Sequence, residues 1–133
     1  MRPLILCVDD DPLVRDVTQA ALERGGYRVL PAASGAEASS ILEQAAENVS
    51  LAILDWSLRD IPTAEVITRL KTLQPGLKIL VTSGHDRAAV VPWIAKQRID
   101  GFLPKPYLPK QLVQRVEWML RPMRPCTASG SAF

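Results

Sequence analysis

Three short apolar runs in this chain stop at residues that could do chemistry. Leu4 to Val8 ends at Asp9-Asp10-Asp11, Leu51 to Leu54 ends at Asp55, and Asp100 to Pro104 ends at Lys105-Pro106. If these runs are neighbouring parallel strands, their C-terminal ends gather at least three carboxylates and one ammonium along one sheet edge. Open α/β sheets hold their ligands at that edge. Carboxylates crowded in this way repel one another and favour a hard cation with oxygen ligands, Mg²⁺ above all.

The elements that must position these groups alternate regularly. Leu4 to Val8 is too short for a helix and carries no polar alternation, so it reads as a strand covered on both faces. Asp11-Pro12 supplies an N-cap and a proline in the first turn of a helix on which Val14, Val17, Ala21 and Leu22 recur. Gly25-Gly26 ends that helix. Tyr27 to Leu30 is a second strand. Ser34 to Glu37 forms a capping box for a second helix, expected to run to about Glu47. Leu51 to Leu54 is the third strand. A helix follows Pro62, with Val66, Ile67, Leu70 and Leu73 on one face, and Pro75-Gly76 breaks it. Leu77 to Thr82 is the fourth strand. A fourth helix is expected within Arg87 to Gln97, with Pro92 inside it to kink it or delay its start. Gly101 to Leu103 is the fifth strand. The last helix opens near Pro109 and sets Leu112, Val113, Val116, Met119 and Leu120 on one face. Strict strand-helix alternation implies a doubly wound parallel sheet with right-handed crossovers.

Composition narrows the function. The 133 residues suit one domain with a sizeable core, and 47% apolar with 23% charged residues is ordinary for a soluble globular protein. A net charge of +2 is too small to suggest direct nucleic-acid binding. No apolar run is long enough to cross a bilayer, and Met1-Arg2-Pro3 leads into a strand rather than a secretory leader. Cys7 and Cys126 make no disulfide framework, so a cytoplasmic setting is expected. No GxGxxG follows the first strand and no GxxxxGK[ST] is present, which argues against dinucleotides and P-loop nucleotide chemistry.

Read in order, Asp9-Asp10, Asp55, Thr82 and Lys105-Pro106 fall at the ends of the first, third, fourth and fifth strands. With them the chain from Leu4 to about Leu120 resembles the receiver domains of two-component response regulators. The resemblance implies a flavodoxin-like, doubly wound five-stranded parallel sheet, strand order 2-1-3-4-5, with five helices. It implies a receiver over residues 1–121; beyond Arg121 the pattern stops, and the Pro, Ser, Gly and Ala residues over 122–133 read as a disordered tail. It also implies a role for each site residue in a phosphorelay. Asp55 accepts a phosphoryl group from a sensor histidine kinase or histidine phosphotransfer protein. Asp10, Asp55 and the Ser57 backbone carbonyl hold Mg²⁺, and Asp9 acts through bound water. Thr82 and Lys105 contact phosphoryl oxygens, Thr82 and Phe102 form a switch, and the Lys105–Pro106 peptide is cis. Such a domain is a signalling module that assists its own phosphorylation and dephosphorylation, not an enzyme with a separate substrate. Ser57 is short and Gly84 lacks a side chain, so neither reaches far to orient a hydrolytic water, and a long phosphoryl lifetime is expected.

Each residue taken singly has a plainer reading. Asp11 is mostly a helix cap, Asp55 alone could be a turn residue, and the single histidine, His85, reads as structural or solvent-facing. Three departures from the family pattern stand out: Arg59 and Thr63 where proline and glycine are usual, Pro92 in the fourth helix, and Pro104 before the lysine. Two other functions fit the same elements. One is a pseudo-receiver that binds a partner without taking phosphate. The other is a small flavodoxin-like enzyme.

Overall fold

The computed structural model describes residues 2–84, 91–92 and 99–121. The elements are β1 (Leu4–Val8), α1 (Pro12–Arg24), β2 (Arg28–Ala32), α2 (Gly35–Gln44), β3 (Leu51–Asp55), α3 (Thr63–Leu73), β4 (Lys78–Ser83), β5 (Gly101–Pro104) and α4 (Pro109–Met119). The helix expected within Arg87 to Gln97 lies almost wholly outside the described residues, as do His85, Trp93 and the expected tail over 122–133. The five strands are parallel in the order β2-β1-β3-β4-β5, as the resemblance implies.

Side chains alternate across the strands, so each central strand serves two cores. On one face Leu6, Val8, Ala52, Leu54, Ile79 and Val81 pack with Leu42 of α2 and Val66, Ile67 and Leu70 of α3. On the other, Ile5, Leu51, Ile53, Leu80 and Leu103 meet Leu22 of α1 and Leu112, Val116 and Met119 of α4. All five residues of β1 and of β3 are buried, which is why those runs lack polar alternation.

Prolines occupy both outer strands: Pro31 in β2 and Pro104 in β5. Lys105 N–H bonds Ser83 O at 2.7 Å, so by alternation the position of Pro104 turns its missing N–H away from β4. The proline therefore costs no ladder bond and blunts an open edge.

Local signals act as the sequence predicts at several ends. Asp11 caps α1 by accepting from Leu13 N and Val14 N. Gly26 takes φ +95°, a backbone state that favours glycine. Ser34 caps α2 by accepting from Glu37 N, but the Glu37 side chain accepts from Ala33 N rather than from Ser34. α2 stops at Gln44, short of Glu47. Ala45 turns extended, Glu47 pairs with Arg28 of β2, and Val49 N–H bonds the Gln74 side chain. β2 and β4 each start one residue later than expected and run on to Ala32 and Ser83. Val17 and Leu73 share the expected spacing but are exposed, because the apolar stripes are wider than the faces the sheet covers.

Candidate functional site

The C-terminal ends of β1, β3 and β4 and the segment after β5 bring the sequence-marked groups together. Asp9, Asp10 and Asp55 each offer a carboxylate oxygen, and these oxygens lie within 4.8 Å of one another. Asp9 and Asp55 are buried and Asp10 is partly so. Register fixes the geometry: Asp55 pairs with Thr82 across β3 and β4, and Trp56 N–H bonds Thr82 O at 2.8 Å. Thr82 is buried beside the acidic group. Lys105 follows β5, and its Nζ reaches Asp9 Oδ2 at 3.2 Å and Asp55 Oδ1 at 3.6 Å. The Lys105–Pro106 peptide is cis. Phe102 pairs with Val81 and packs, partly buried, on the α2–α3 side.

Each carboxylate has a distinct environment. Asp9 is held by four bonds: its N–H donates to Ala32 O, its Oδ1 accepts from Asp11 N–H, its Oδ2 from Lys105 Nζ, and its carbonyl from Arg15 Nη1 at 2.7 Å. Burial raises its pKa above the ordinary value, and the Asp55 charge adds to this, while the Asp11 N–H and Lys105 oppose it. Asp55 Oδ1 accepts from Ser57 N–H at 3.2 Å. Asp10 Oδ2 is buried and accepts no hydrogen bond among the described residues; Arg59 Nε lies 3.6 Å from it. For Lys105, burial works against the charge, but Asp55 and Asp9 outweigh it and its pKa lies above the ordinary value.

The loop from Trp56 to Pro62 and the start of α3 carry features whose roles were not legible in the sequence. Thr63 is 3% exposed, and its hydroxyl lies 2.9 Å from both Asp55 O and Trp56 O. It fastens the start of α3 to the backbone that presents Asp55. Asp60 crosses to α2 and accepts from Gly35 N and Ala36 N, both at 3.0 Å, capping that helix from outside its own sequence. Partial desolvation works against the Asp60 charge, but the N–H groups of Ala36 and Gly35 prevail and its pKa is lowered. Glycine at 35 suits the close packing of α2 on α3, since an added Cβ would meet Val66 Cγ2 at 2.6 Å. A groove of about 590 Å³ opens beside Lys105, lined by Leu13, Val14, Val17, Tyr107, Pro109 and Leu112 among others. Thr18 also lines it, with Thr18 Oγ1 and Tyr107 Oη 3.4 Å apart.

With this geometry in hand, comparison with known proteins is informative. A family model described as the response regulator receiver domain matches residues 5–117. The chain is 33% identical over 116 residues to the sensor kinase CckA of Brucella abortus, covering 87% of this chain and 12% of that protein. The chain spans about half or less of the length of the curated relatives it matches. A CheY-like receiver domain protein from Methanospirillum hungatei superposes with a TM-score of 0.81 at 29% identity, over 89% of this chain and 93% of that one. A response regulator from Burkholderia pseudomallei, solved with a phosphorylated aspartic acid, calcium ion and citrate, gives 0.75 at 26% identity, over 87% and 71%. No helix of the described residues is long and apolar enough to cross a membrane.

Proposed function

The chain belongs to the response regulator receiver domain family, and on that premise we propose that it takes a phosphoryl group on Asp55 in a Mg²⁺-dependent phosphorelay. The observation that carries this reading is the convergence of Asp9, Asp10, Asp55 and Lys105 on one sheet edge. The related Burkholderia protein with its phosphorylated aspartic acid and calcium ion supports it.

The donor set fits a hard divalent cation. Three carboxylates converge, and one buried oxygen, Asp10 Oδ2, accepts no hydrogen bond among the described residues. Asp10, Asp55 and the Ser57 carbonyl would hold the ion, with Asp9 acting through water. When bound, the cation supplies charge neutralisation for the phosphoryl oxygens.

The chain's own residues do the rest. A carboxylate oxygen of Asp55 attacks phosphorus of a phosphohistidine, forming the O–P bond as the N–P bond breaks. The leaving imidazole keeps the electron pair and takes up a proton. Ser57 N–H, on Asp55 Oδ1, holds that carboxylate in place. Lys105 offsets charge on the transferred group, and the Thr82 hydroxyl donates to one of its oxygens. Closure of Thr82 and repacking of Phe102 would pass the change to the β4–β5 side of the domain. The donor is a sensor histidine kinase or phosphotransfer protein, and the apolar groove beside Lys105 gives such a protein a surface to rest on.

Intact-mass spectrometry after incubation with acetyl phosphate tests the reading. One phosphoryl group should add in Mg²⁺, none in excess chelator, and none to Asp55→Asn. An unlabelled wild type would favour a pseudo-receiver, and labelling that survives Asp55→Asn would refute the acceptor.

A further inference from the structure

Among the described residues, Lys105 and Arg59 pair with the three carboxylates of the site, and the two are held very differently. Lys105 is three-quarters buried and spans Asp9 and Asp55. Arg59 faces Asp10 alone, at 3.6 Å, and its side chain is 91% exposed. The separation is an ion pair but beyond hydrogen-bond length. An exposed pair of this kind is weak, so little is lost when Arg59 leaves.

The backbone around Arg59 is nevertheless pinned. On one side Thr63 holds the Asp55 and Trp56 carbonyls, and on the other Asp60 is tied to Gly35 and Ala36 at the start of α2. A fixed backbone with an unconfined guanidinium lets the charge turn without moving the loop. A guanidinium also matches phosphoryl oxygens through its fork of donors.

We propose that Arg59 is a transferable counter-cation, pairing with Asp10 while the acidic pocket is without metal and turning to the anionic phosphodonor once a divalent cation takes Asp10. This rests on the receiver reading above and assigns a specificity role to a residue on the loop after the acceptor. Arg59 then has opposite effects on the two partners of the reaction. It competes with the metal for Asp10 and raises the local potential, and it attracts the phosphodonor.

The test measures both partners on the folded chain. Mg²⁺ affinity is read by calorimetry, and the labelling rate at saturating Mg²⁺ by intact mass with acetyl phosphate, for wild type, Arg59→Gln and Arg59→Lys. Arg59→Gln should tighten Mg²⁺ binding by about twofold to fivefold. It should slow acetyl phosphate labelling by about threefold to tenfold at low ionic strength, a deficit that shrinks as salt is added. Arg59→Lys, which keeps the charge but not the fork of donors, should lie close to wild type in Mg²⁺ binding and between wild type and Arg59→Gln in labelling. A merely structural role would make metal binding and labelling fall together, and that outcome overturns the proposal. So does Arg59→Gln behaving as wild type in both measurements while wild type is labelled on Asp55. A wild type that neither binds Mg²⁺ nor takes label removes the receiver reading itself, and the role of Arg59 with it.

Discussion

Replacing Thr63 by valine would remove one hydroxyl and leave shape and volume almost unchanged. That hydroxyl is buried and stands 2.9 Å from the carbonyls of Asp55 and Trp56. It has a single proton, so the two contacts share it and count as about one good hydrogen bond. A buried bond of this kind contributes about 1 kcal/mol net, and leaving a buried carbonyl under-satisfied adds a further cost, so roughly 1–2 kcal/mol is expected. For a chain of this length each 1 kcal/mol moves the melting point by roughly 3–4 °C, so Thr63→Val should melt about 3–8 °C below wild type. The same backbone carries Asp55 and Ser57, so Mg²⁺ affinity should fall as well. Thr68→Val is the control: its hydroxyl bonds Ala64 O at 3.2 Å on the exposed side of α3, and its loss should change stability by less than about 0.5 kcal/mol. Melting by circular dichroism and Mg²⁺ titration decide the matter. If Thr63→Val melts with wild type and binds Mg²⁺ as tightly, the hydroxyl does not fasten the acceptor strand to α3.

Other outcomes follow from the same geometry. Binding of Mg²⁺ to the folded state alone should raise stability by about 2.7 kcal/mol at a hundredfold excess over Kd, and Asp10→Ala should abolish the rise in thermal melts. Asp60→Ala should cost about 1 kcal/mol through loss of the α2 cap. Because the folded Asp60 pKa is lowered, its contribution is complete above the unfolded value of 3.8 and is lost as pH falls through the folded one. The stability gap between wild type and Asp60→Ala should therefore close on acidification below that value, and a gap that widens there would contradict the assignment. Cys7 is buried in β1, and burial pushes its thiol up to about 12, so in a Cys126→Ser background an aromatic disulfide reagent should label it only as fast as the domain opens. Rapid labelling at pH 8 under native conditions would contradict the burial.

Much of the site was legible because strands end where chemistry begins. Asp9, Asp10, Asp55 and Lys105 follow uninterrupted apolar runs, and a parallel sheet leaves those ends nowhere else to point. The departures at Arg59 and Thr63 were visible as residues, but their consequences depend on partners that only folding supplies. Thr63 answers two carbonyls seven and eight positions earlier. Asp60 caps a helix 24 and 25 positions away, a pairing no periodicity announces. Pro104 departs from the family pattern without cost to the sheet, because its strand is an edge. The groove beside Lys105 has no signature in the sequence, because Val14 and Val17, which line it, share the spacing of the buried Ala21 and Leu22.

The central claim is that Asp55, and no other carboxylate, becomes the acyl phosphate. Borohydride reduction after acetyl phosphate treatment converts an aspartyl phosphate to homoserine, which peptide sequencing by mass spectrometry can place to the residue. Homoserine should appear at position 55 alone and only when Mg²⁺ was present. Homoserine at position 9, 10 or 60, or none at all in a fully folded, Mg²⁺-treated sample, would contradict the account.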